Sequence, residues 1–129
     1  MTNKNTVYMS SKDRREINLE IIVWSIFISN RSVLEKHKIL EKQLASFSNE
    51  IDKEISKERE FYSSNKENFQ RSQHIYDVNK KMRVGLSSLA WYISLYKGNM
   101  NLSKRRIENL IREKEELRDI IFYLKGMIK

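Results

Sequence analysis

At 129 residues the chain can hold one modest core but not two independent ones. It has no cysteine, which excludes disulfides, a thiol nucleophile and thiolate metal ligands, and no proline, which favours long uninterrupted helices over a loop-rich fold. Charged residues make up 33% with a net charge of +8, a surplus that attracts anionic partners without choosing among nucleic acid, acidic lipid and an acidic protein face.

Residues 1–11 are polar and aperiodic and read as a disordered or loose tail, so the single helical domain is expected over 12–129. The most apolar stretch follows, Ile17–Ile28, with nine apolar residues in twelve. It is too short to span a bilayer, which needs about 20 residues, and Glu20 interrupts it. It lies behind Arg14 and Arg15 with no small-residue cleavage site after it, unlike a secretory leader. The chain therefore reads as cytoplasmic, with no membrane span.

A seven-residue pattern begins at Leu19. Steps of four and three lead through Val23, Ile26, Asn30, Val33, His37, Leu40, Leu44, Phe47 and Ile51, and eight of these ten positions are apolar. Such alternation marks a coiled-coil seam. Asn30 reads as a polar seam residue that fixes register, and His37 as a tolerated one. Past Ile51 the phase shifts to Ile55 and fades near Phe61 and Tyr62. Ser64, followed three residues later by Glu67, has the form of a capping box, so a turn between two helices is expected near 63–67.

The second seam runs from Met82 through Leu86, Leu89, Ile93, Tyr96, Met100, Ser103, Ile107, Leu110, Lys114, Leu117, Ile121, Leu124 and Ile128. Twelve of its fourteen positions are apolar. The phase is unbroken across Gly98, which predicts one helix from about residue 68 to the end. The fold expected is all-α, a long antiparallel two-helix coiled-coil hairpin. The alternative is a compact four-helix bundle. It would break at Ser29–Ser32, where Ser32 and Glu35 form a second capping-box pattern, and at Gly98–Ser103.

A turn at 63–67 would bring Ile17–Ile28 beside Leu117–Ile128. In both segments apolar residues spread beyond the seam, including Ile21, Ile22, Trp24 and Phe27 in one and Ile120, Phe122 and Tyr123 in the other. A two-helix pair cannot bury side chains all round. This end must dock on a partner, pair with a second copy, or fold back on itself. Ile21, Trp24, Phe27, Ile120, Phe122 and Tyr123 are thus the candidate partner-binding residues, with Trp91 added because it points away from the hairpin seam; in the four-helix bundle Trp91 would instead be core.

Other chemistry is sparse. His37 and His74 stand too far apart, with no carboxylate cluster, to form a recognisable metal site. Glu113, Glu115 and Glu116 read as a solvated face. No glycine-rich phosphate loop, nucleophile elbow or paired-carboxylate motif occurs, so neither an enzyme, a cofactor nor a small-molecule substrate is expected. Basic clusters at Lys12–Arg15, Lys80–Arg83 and Lys104–Arg106 make Lys80, Lys81, Arg83, Lys104, Arg105 and Arg106 candidate contacts to an anionic partner, nucleic acid included.

The paired seams, the turn position and the stretch Ser88-Leu89-Ala90-Trp91-Tyr92-Ile93-Ser94-Leu95-Tyr96 resemble the FliJ and YscO type of export-stalk protein from flagellar and injectisome type III secretion. The resemblance implies a hairpin stalk seated in the central hole of an ATPase ring and touching the export gate. The broad apolar patch at Ile17–Ile28 departs from a slim stalk. The expected function is a non-enzymatic helical adaptor or protein-interaction role, with a type III secretion stalk as its most specific form. The alternatives are a basic nucleic-acid-binding or regulatory protein, and a small secretion chaperone or self-assembling structural protein.

Overall fold

A computed structural model describes residues 9–82 and 86–128. The described chain is all-helical: α1 spans Ser11–Phe27, α2 Val33–Met82 and α3 Ser87–Met127. The expected tail at 1–11 lies largely outside the described residues, and Ser11 is already helical.

Local chemistry explains where the helices begin. Ser10 is extended, and its hydroxyl accepts the Asp13 N–H at 3.1 Å, satisfying one of the orphan donors of the first turn of α1. At the other end the Ser29 hydroxyl donates to the Ile26 carbonyl at 3.0 Å. The run Ser29-Asn30-Arg31-Ser32 is wholly polar, and its Ser and Asn side chains compete for backbone groups. Ser32 then starts α2, accepting the Glu35 N–H at 3.2 Å. The break considered at Ser29–Ser32 is therefore real, and the first seam does not continue through it. Asn30 and Val33 are exposed rather than in a seam.

The turn expected at 63–67 is absent. Helix α2 runs unbroken from Val33 to Met82, a stretch with neither glycine nor proline. Ser64 caps nothing because the inward-facing positions continue past it: Glu58, Tyr62, Asn65, Phe69, Ser72, Tyr76 and Asn79 are all buried or half-buried. Those positions are mostly polar, so the apolar signal fades while the helix persists. Nor does one helix run from residue 68 to the C-terminus. Helix α2 ends at Met82 and α3 starts at Ser87, whereas Gly98–Ser103 is continuous helix.

The chain divides into two compact units, residues 50–112 and residues 1–49 with 113–129. In the first, α2 and α3 lie antiparallel. The Asn99 side-chain N–H donates to the Asn65 side-chain oxygen at 3.0 Å, and the Ser103 hydroxyl donates to Glu58 at 3.1 Å. Asn65 also donates to the Phe61 carbonyl at 2.7 Å, so this buried amide is held on both sides. A buried polar pair of this kind costs stability but disfavours slipped registers. It occupies the role expected of Asn30. The apolar core here comes from Ile51 and Ile55, with Ser103 fully enclosed.

The second unit contains α1, the start of α2 and the end of α3. Its core is Leu19, Ile26, Leu40, Phe47, Leu117, Ile121 and Ile128. Arg15, at 1% exposure, donates from Nε and Nη2 to the two carboxylate oxygens of Glu113 at 2.6 and 2.7 Å. This forked pair fixes α1 against α3 with the two helices running in the same direction. Lys125 donates to Glu41 and ties α3 to α2. Two expectations fall here. Glu113 is not on a solvated face, and Arg15 is not a free member of a basic surface cluster.

Candidate docking site

In the unit built from α1, the start of α2 and the end of α3, α1 buries Arg15, Leu19 and Ile26, with Ile22 and Val23 half-buried on either side. The residues on the next stripe round, Ile17, Ile21, Trp24 and Ile28, are then turned outward and are exposed. On α3 the seam residues Leu117, Ile121 and Leu124, and Ile128 just past its end, are buried or half-buried, whereas Ile120, Phe122, Tyr123 and Met127 are exposed. Thus α1 does fold back, yet its fold-back leaves most of the surplus apolar residues uncovered.

Between α1 and α3 lies an open groove of about 410 Å³. Leu19, Val23 and Trp24 line it from α1, and Leu117, Ile120 and Leu124 from α3. Its charged lining residues are all acidic: Glu16, Glu20, Glu113 and Glu116. Glu113 is engaged by Arg15, which leaves Glu16, Glu20 and Glu116 as exposed carboxylates along the rim. The groove spans Glu113 to Leu124 on α3, about 16 Å of helix axis.

The structure therefore brings together two of the residues expected to bind a partner, Trp24 and Ile120. Ile21, Phe27, Phe122 and Tyr123 are exposed in the same unit but do not line the groove. Trp91 belongs to the other unit, where it is 60% exposed, with an edge-on contact to Tyr92 at 5.0 Å between centroids; Tyr92 stacks on Tyr96 at 6.3 Å. The other lining residues carry different roles in the sequence: Leu19, Val23, Leu117 and Leu124 are seam positions, Glu113 and Glu116 read as a solvated face, and Glu16 and Glu20 have none. Glu16 and Glu20 are one helical turn apart, as are Glu116 and Ile120. That spacing was the available signal, but it reveals a shared rim only once α1 is known to lie beside α3.

The basic candidates do not converge. Lys80 and Lys81 are exposed near the end of α2, and Arg83 lies outside the described residues. Lys104 and Arg105 are exposed on α3, while Arg106 approaches Glu58 at 3.5 Å. Among the described residues no group of three or more His, Cys, Asp or Glu could hold a metal ion, and no helix is long and apolar enough to cross a membrane. The His37 Nε2 atom is buried and has no hydrogen-bond partner. No family model matches the chain, and neither does any curated protein or any solved structure.

Proposed function

We propose that this chain is a non-enzymatic helical protein-interaction module of the cytoplasm, an antiparallel α2–α3 hairpin whose working surface is the α1–α3 face. One observation carries the reading. The local core is already filled by Leu19, Ile26, Leu117 and Ile121, yet Ile21, Trp24, Ile28, Phe122 and Tyr123 are each more than 60% exposed. Ile21, Trp24 and Ile28 fall on one stripe at the end of α1, and large apolar side chains gathered on one face with no internal use usually mark an interaction site. Large aromatic anchors are also where binding energy concentrates.

The test is assembly by the full chain. Sedimentation at rising concentration, and affinity purification from the native cell with the recovered proteins identified, should show an oligomer or a defined protein complex. Trp24→Ala should weaken that assembly. Co-purification with a hexameric ATPase would make the role an export stalk of the kind the sequence resembles. A monomer at high concentration whose complexes survive loss of Trp24 and Ile120 rejects the proposed face.

A further inference from the structure

We infer that the α1–α3 groove takes a cationic amphipathic helix of a partner protein, seated as an additional helix alongside α1 and α3. The inference rests on the interaction reading above and adds the chemistry of the partner. Three features support it. The groove is bounded by two helices running in the same direction and extends about three turns, which suits a helix laid lengthwise with its apolar face inward. Its floor is aliphatic and aromatic, from Leu19, Val23, Trp24, Leu117, Ile120 and Leu124. Its rim is wholly acidic in a chain whose net charge is +8.

The last feature decides among occupants. Glu16, Glu20 and Glu116 are exposed and enter no ion pair with a described residue. A second copy centred on the same groove would set this acidic rim against its own image, because a two-fold interface is self-complementary. Nucleic acid or an acidic lipid surface would meet the same repulsion. A helix carrying Lys or Arg beside its apolar stripe would instead pair with the three carboxylates. The positive charge of the rest of the protein opposes such a ligand, so any preference for it must arise locally.

The test uses the full chain with Trp91→Phe, which leaves Trp24 as the sole tryptophan and places a fluorescent reporter in the groove. The probes are two synthetic helical peptides of equal length and pattern, one Leu/Lys and one Leu/Glu. The expected result is a shift of Trp24 emission by the Leu/Lys peptide, with affinity at least ~10-fold above that for Leu/Glu. The triple variant Glu16→Gln, Glu20→Gln, Glu116→Gln should lose roughly eightfold, about a factor of two for each exposed ion pair. Ile120→Ser should weaken binding while circular dichroism is unchanged. If the two peptides bind alike, or the triple variant binds as well as its parent, the charge selection is wrong but the apolar docking face stands. If neither peptide moves Trp24 and the protein dimerises through Trp24, the occupant is a second copy and the inference is overturned. If neither peptide binds and Trp24→Ala affects no assembly, the inference and the proposed function fall together.

Discussion

Arg15 and Glu113 are separated by 98 positions and form a forked ion pair at 2.6 and 2.7 Å, with side chains 1% and 6% exposed. Taking two charges out of water is costly, and the matched fork of guanidinium and carboxylate offsets it. Removal of Arg15 leaves the Glu113 carboxylate buried without its guanidinium, and removal of Glu113 breaks the fork that holds Arg15. Arg15→Met or Glu113→Leu alone should therefore destabilise the protein by ~3–5 kcal/mol, whereas the double replacement should recover much of the loss. Urea denaturation of the three variants measures this. If each single change costs well under 1 kcal/mol, the pair is not a buried anchor of α1.

The Asn65–Asn99 hydrogen bond makes a related test in the other unit. Asn65→Ala strands the Asn99 amide, and each truncation should cost ~1–3 kcal/mol. Because the two side chains share one bond, the double variant should cost less than the sum, with a coupling of ~0.5 kcal/mol or more. Additive losses would mean the two amides act independently.

Much of the helical content was legible in the sequence, because absent proline and a four-three apolar period act locally. The seam of α3 was legible almost position by position, from Leu89 to Ile128. The turn was not. Ser32-x-x-Glu35 and Ser64-x-x-Glu67 are the same motif, and only the first caps a helix. What separates them is tertiary: Asn65 and Glu58 find partners at Asn99 and Ser103, so helix persists where an apolar count predicts its end. Arg15 and Glu113 were misplaced for a similar reason. A charge on a helix reads as solvated unless the chain is known to bring its counterpart 98 positions away.

Ser64→Pro follows from that contrast. Proline removes a donor and collides with the preceding turn, so mid-helix it should destabilise by ~3 kcal/mol or more, whereas the first turn of a helix tolerates it. Thermal melting followed by circular dichroism distinguishes these outcomes, and an unchanged midpoint would restore a turn at 63–67. Gly98→Ala is the opposite case. Nothing lies within 4 Å of where the new methyl would sit, and α3 is continuous there. The change should stabilise the protein by ~1 kcal/mol through helix propensity alone.

The hydrogen bond from Lys125, reinforced by its charge, holds the Glu41 carboxyl below its ordinary value of 4.5. A lowered folded-state pKa stabilises the protein above the unfolded value, and that contribution fades as pH falls through the folded one. An NMR titration should place the Glu41 midpoint below 4.5, and Lys125→Met should return it toward 4.5. Stability of the parent minus that of Lys125→Met should shrink as the pH is taken below about 4. A midpoint unmoved by Lys125→Met would show that the pair does not persist in solution.

The exposed aromatics separate a working surface from a structural one. Phe122 is 79% and Trp24 67% exposed, and an exposed side chain removed without leaving a cavity changes stability by only ~0.5 kcal/mol or less. Both Trp24→Ala and Phe122→Ala should therefore keep helicity and melting close to the parent. Their effects on assembly should differ in size. Trp24 lines the groove and meets whatever fills it, so its loss should weaken capture by ~2 kcal/mol or more, roughly 30-fold. Phe122 does not line the groove and, two residues from Ile120, lies on a nearly opposite side of α3, so its loss should leave capture at the groove nearly unchanged. Phe61→Ala is the control. That side chain is 42% exposed on α2 within the other unit, and its removal should leave capture nearly unchanged. If Trp24→Ala instead lowers the melting temperature sharply, the indole is holding α1 in place and the groove is part of the core. If Phe61→Ala weakens capture as much as Trp24→Ala, the partner contacts the unit of residues 50–112, and the Trp91, Tyr92 and Tyr96 cluster there becomes the surface to truncate next.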